Sequence, residues 1–81
     1  MKLKEYLSHL KKAVNADNSL LDMELVYAID DEGNDFRQVN FLPTLGIFKQ
    51  GEFISKDEIE EYNEDYETEY SDNDINSLCI N

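Results

Sequence analysis

Leu3, Tyr6, Leu7, Leu10, Ala13 and Val14 recur at steps that place side chains along one side of an α-helix, while Lys2, Lys4, Glu5, Ser8, Lys11 and Lys12 fall off that stripe. The spacing predicts an amphipathic helix over 3–14. Lys11 and Lys12 would fall in its last turn, where cations complement the helix dipole. The turn-forming run NADNS at 15–19 is expected to stop it. His9 lies off the stripe and reads as an exposed surface histidine.

A second pattern begins at MELVYAI, residues 23–29, rich in branched and aromatic side chains and bounded by turn formers. Met23, Leu25, Tyr27 and Ile29 share one face of a strand and Val26 and Ala28 the other. Apolar residues on both faces predict a central strand covered on both sides. DDEGND at 30–35 reads as a hairpin loop with Gly33 free to take a positive φ. FRQVNF at 36–41 is the returning strand, and Pro43 ends or edges it. GIF-KQG-EFI then predicts a tight hairpin packed through Ile47, Phe48, Phe53 and Ile54.

Ser55 and Glu58 are spaced as a capping box. Behind them Ile59, Tyr62, Tyr66 and Tyr70 follow at steps of three, four and four, one continuous stripe on a helix. Like charges four apart, such as Glu60–Glu64 and Asp65–Glu69, oppose that helix, while Asp57, Glu58 and Glu60 favour its N-terminal end. The balance predicts a helix or irregular helical turn over 56–66 that frays near residue 70. INSLCIN, residues 75–81, returns to apolar character and predicts a short final strand, which would anchor the acidic run at both ends. The expected fold class is α+β: an N-terminal amphipathic helix, a small mainly antiparallel sheet, and an acidic helical segment before a short C-terminal strand.

Charge divides the chain unevenly. The 81 residues carry 19 acids against 7 Lys and Arg. All seven bases and nine acids lie in 1–56, whereas 57–81 holds ten acids and no base. We therefore expect a single domain over 1–81, with a nearly neutral body at 1–56 and an acidic segment and terminal strand at 57–81. A field of this sign repels nucleic acid and anionic lipid and attracts basic surfaces. No apolar run is long enough to span a bilayer, and MKLKEYLSHLKKAV carries charges throughout, unlike a signal peptide. One cysteine, Cys79, is expected to be a small apolar side chain in a reducing cytoplasm.

Chemistry is sparse. DDEGND resembles an EF-hand loop only superficially, because Ala28 and Val39 stand where that loop needs its first and last carboxylates. One His, one Cys and widely placed serines such as Ser8 and Ser19 give no nucleophile–base spacing, and the phosphate and dinucleotide fingerprints are missing. A zinc site is not expected from one Cys and one His so far apart. The expectation is a non-enzymatic protein with no cofactor and no metal ligands.

What stands out is an acid–tyrosine surface. Asp57, Glu58, Glu60, Glu61, Glu64, Asp65, Glu67 and Glu69, with Tyr62, Tyr66 and Tyr70, are the candidate partner-binding residues. Carboxylates held on a scaffold imitate the phosphates of a duplex, and tyrosine supplies rigid contact area and a hydroxyl. The alternative is that the tyrosines pack inward and the acids are a solvated face.

The chain also resembles the small acidic accessory proteins encoded by tailed bacteriophages. The resemblance lies in KLKEYLSHLKKAV, LVYAIDDEGNDF, VNFLPTLGIF, the acidic stretch and INSLCIN, in that order. It implies a viral origin, a place in the host cytoplasm and no particular chemistry. A looser similarity, of size and acidity, is to phage-encoded DNA mimics, the anti-restriction and anti-CRISPR inhibitors. Together these imply a basic, nucleic-acid-binding host protein as partner, with no direct nucleic-acid or membrane binding. The second expectation is a structural or self-assembling interaction protein, with homo-oligomers possible and the acids serving only solubility.

Overall fold

The computed structural model describes residues 1–80. It contains two α-helices and two small antiparallel sheets, an α+β protein. Two compact units divide the chain, Met1–Val39 and the residues from Asn40 onward. In the second unit β-pairing ties residues 44–55 to the terminal strand.

In the first unit, helix α1 spans Leu3–Ala16. It runs two residues past the expected end, so Lys11 and Lys12 lie before the last turn, which holds no base. Asn15 and Ala16 continue the helix, and Asp17 turns extended to end it. Asp17 also caps the following 3-10 turn, Asn18–Asp22, through a 3.0 Å bond from the Ser19 N–H. Strands β1 (Val26–Ala28) and β2 (Phe36–Gln38) form a two-stranded hairpin with Tyr27 opposite Arg37. Gly33 takes φ +68° in the connecting loop, where Asp30 accepts from the Asn34 N–H at 2.9 Å.

The 23–29 segment corrects the sequence expectation. It is neither central nor covered on both faces: β1 pairs with β2 alone, and Met23, Leu25, Val26 and Ile29 are exposed. Branched apolar residues on both faces fit a buried strand and an uncovered one equally well, and among the described residues β1 has no third strand in its sheet.

In the second unit, β3 (Thr44–Lys49) is the central strand, between β4 (Glu52–Ser55) and β5 (Ser77–Cys79). Lys49 pairs with Glu52, so the β3–β4 turn is two residues, Gln50 and Gly51, with φ +53° and +81°. Two successive positive values match the turn twist that suits a right-twisted hairpin. Gly46 lets the strands close: a Cβ there would collide with the Ile54 carbonyl and the Phe53 ring. Beyond the ladder, Asn76 imitates a paired residue, accepting from the Phe48 N–H at 2.8 Å and donating to the Phe48 carbonyl at 3.1 Å.

Ile47, Ile54 and Ile59 form the core at 3, 6 and 6% exposure, with Tyr62, Tyr70 and Ile75 packed against it. Burying each isoleucine contributes about 1.5–3 kcal/mol. Of the four residues expected to pack the hairpin, Phe53 is half-buried and Phe48 exposed. Phe48 lies opposite Phe53 and off the Ile47–Ile54 face.

Candidate functional site

The acidic segment is built on this core. A 3-10 turn, Lys56–Glu58, leads from β4 into helix α2, Ile59–Tyr66. Ile59 is the buried foot of α2, and Tyr62 lies one turn further along the same side. The expected capping box at Ser55 does not form. Its side chain makes no capping bond, because the chain enters a 3-10 turn before the helix proper begins at Ile59. The capping box is instead at Ser71 and Asp74, where the Ser71 N–H donates to Asp74 Oδ2 at 2.9 Å and the Asn73 N–H to Ser71 Oγ at 3.3 Å.

The helix does not fray toward residue 70. It stops at Tyr66, and Glu67 adopts φ +53° to reverse the chain. Asn63 then clasps the return. Its carbonyl oxygen Oδ1 accepts from Thr68 Oγ1 at 2.7 Å and from the Tyr70 N–H at 3.0 Å, and its Nδ2 donates to the Tyr70 carbonyl at 2.8 Å. Tyr70 therefore joins the tyrosine cluster through a loop and not along a helix. The Tyr62 ring lies 4.5 Å from Tyr66 and 6.0 Å from Tyr70, both tilted, and Lys49 Nζ sits 5.7 Å from the Tyr70 ring centre. Such aromatic pairs contribute about 0.5–1.5 kcal/mol beyond the area they bury.

The three tyrosines differ. Tyr62 and Tyr70 are half-buried against the isoleucines, while Tyr66 is 66% exposed. Partial burial raises the Tyr62 phenol above its ordinary pKa, and the Glu52 carboxylate adds to the shift.

Asp57, Glu58, Glu60, Glu61, Glu64, Asp65, Glu67 and Glu69 are all exposed. Glu58, Glu61 and Asp65 line a shallow groove with Tyr62 on one flank. Asp57, Glu60 and Asp72 line another with Lys56, Ile59 and Tyr70. The acids thus lie to both sides of the tyrosines. Among the described residues the one ion pair is Arg37–Asp35 at 3.8 Å, in the other unit, so none of these carboxylates is ion-paired. Residues 57–67 carry seven acids, four of them within α2. At about 1.5 Å of helix rise per residue α2 carries one charge per roughly 3 Å of axis. The corresponding figure for duplex DNA is about 1.7 Å.

Among the described residues no three His, Cys, Asp or Glu side chains converge as a metal cluster would require. No described helix is long and apolar enough to cross a membrane. Sequence reasoning missed Asn63, the residue that shapes the return. Its signal was an Asn followed five positions later by a Thr, both able to bond the backbone near a helix end. Comparison with protein-family models, curated proteins and solved structures returned no match.

Proposed function

We propose that the chain is a non-enzymatic inhibitor or modulator that binds a basic, nucleic-acid-binding host protein through the carboxylates of 57–69, in the manner of a DNA mimic. The observation that carries this reading is a dense run of exposed, unpaired carboxylates on α2 and the turns at either end of it, held by Ile59 and Tyr62. Ordinary solvated faces mix both signs, whereas residues 57–81 hold no base and Lys56 stands only at their edge. Pre-organising the charges on a scaffold reduces the ordering cost of binding. Glu67 adds to the case, because it holds a left-handed position that glycine occupies with less strain. Tyr66, exposed at the end of α2, offers rigid contact area beside the carboxylates.

The reading agrees with the resemblance to phage accessory proteins, and both imply action in a host cytoplasm. It is tested by immobilising the protein, capturing bacterial lysate proteins at low salt, and eluting with duplex DNA. Release of nucleic-acid-binding proteins by DNA, but not by an uncharged polymer, supports it. Capture that DNA leaves untouched refutes the mimicry.

A second reading is a self-assembling interaction protein whose acids serve solubility. It is favoured by the apolar side chains that the first unit leaves exposed, including Leu3, Leu7 and Leu10.

A further inference from the structure

The β3–β4–β5 sheet has two faces, and α2 packs on the one that carries Ile47 and Ile54. Strand alternation and register place Thr44, Gly46, Phe53, Ser55, Ser77 and Cys79 on the other. Gly46 leaves a gap there, and the half-buried Phe53 ring closes it, lying where a Cβ would stand. The ring is therefore held against the strand beneath it.

The Lys56–Glu58 turn after β4 brings two carboxylates to the same place. Asp57 and Glu58 line one open groove with Thr44, Phe53, Ser55 and Cys79. The groove's polar groups are not used up inside the protein. The Ser55 side chain makes no capping bond. Neither Asp57 nor Glu58 is ion-paired among the described residues. Lys56, the nearest base in sequence, lines the separate groove that holds Glu60 and Asp72.

This lining defines its complement. An occupant must bring positive charge to two carboxylates, donors to a hydroxyl, and a flat surface to an aromatic ring. An anion meets two like charges here. A lysine ammonium supplies the charge, but it is compact and strongly hydrated. An arginine guanidinium supplies all three: a planar cation, less tightly hydrated, with forked donors for a carboxylate and a face that stacks on an aromatic ring.

We propose that this groove is a socket for an arginine side chain of a basic protein partner. That the arginine belongs to a nucleic-acid-binding protein rests on the reading given above, whereas the socket needs only Asp57 and Glu58 from the 57–69 carboxylates. The acids of α2 attract cations at long range, and the groove selects the guanidinium at contact.

The test is an NMR titration of the isotope-labelled full chain with the peptide acetyl-Gly-Arg-Gly-amide at about 0.15 M salt. Matching peptides carry lysine or citrulline, the uncharged isostere of arginine. Saturable binding with a roughly millimolar Kd is expected, with amide shifts centred on Thr44, Phe53, Ser55, Asp57, Glu58 and Cys79. The lysine peptide should bind about threefold more weakly and the citrulline peptide about tenfold. Asp57→Asn with Glu58→Gln should weaken arginine binding about tenfold and Phe53→Leu about threefold, each variant's spectrum reporting a retained fold. Bound arginine peptide should also slow alkylation of Cys79, the chain's one thiol, by about threefold. Replacing Glu60, Glu61, Glu64 and Glu67 with Gln should leave the Kd within about threefold.

Four results overturn the proposal: citrulline or lysine binding as tightly as arginine, shifts centred on residues 60–69, an affinity unmoved by the Asp57 and Glu58 changes, and an affinity lost with the four α2 carboxylates. Groove-centred arginine binding alongside lysate capture that DNA leaves untouched would sustain the socket and refute only the mimicry.

Discussion

Asn63 makes three side-chain hydrogen bonds and fixes where the chain turns after α2. Removing a partner costs more than the bond's net worth, because half-buried groups are left unpaired. Asn63→Ala should therefore lower stability by about 2–3 kcal/mol in urea unfolding, and release Tyr70 from the cluster. Tyr62 gives a prediction of a different kind. Its phenol is raised above the ordinary value, chiefly by burial. The folded state then holds the proton more tightly than the unfolded state. Stability from this group is fully present below about pH 10, the unfolded value, and is lost as pH rises through the higher folded value. Unfolding midpoints should fall as pH rises above about 10, and Tyr62→Phe should flatten that fall. An equal decline in the variant would assign the loss to other groups.

At the scale of elements, two glycines of the β3–β4 hairpin separate packing from backbone strain. Gly46→Ala drives a Cβ into the Ile54 carbonyl and the Phe53 ring, and should destabilise by more than about 2 kcal/mol. Gly51→Ala meets open space but must hold φ +81°, and should cost only about 1 kcal/mol. Denaturant midpoints of the two variants check the order. This hairpin was legible in the sequence because turn chemistry and apolar alternation agree there. So were α1 and α2, whose apolar steps are helical. The 23–29 strand was misread because Val26 and Ala28 announce apolar character and not what covers it. The tyrosine stripe was half legible: spacing placed Tyr62 and Tyr66 together, but Tyr70 arrives by way of Asn63 and the left-handed Glu67. Ser55 matched a capping box in letters, yet a 3-10 turn intervenes, and Ser71 and Asp74 form the box instead.

For the molecule as a whole, charge is the dominant fact, and the acidic segment is folded rather than free. Its carboxylates share a scaffold with Ile59, Tyr62 and Tyr70, so core and surface can be altered separately. Ile47→Ala should cost about 2–4 kcal/mol and weaken partner capture only through unfolding, which circular dichroism would register. Replacing Glu60, Glu61, Glu64 and Glu67 with Gln keeps the shape and removes four charges. Relief of like-charge repulsion, about 0.2–0.5 kcal/mol per adjacent pair, is offset by the loss of Glu60 and Glu61 from the positive end of the α2 dipole, so stability should change by less than about 1 kcal/mol. The most direct measurement is therefore capture of bacterial lysate proteins by the wild-type chain and by this four-glutamine variant, at about 0.05 and 0.5 M salt. Basic proteins retained by the wild type at low salt, and lost both on adding salt and on removing the four charges, are the predicted result. Equal capture by the two chains, unmoved by salt, would contradict it.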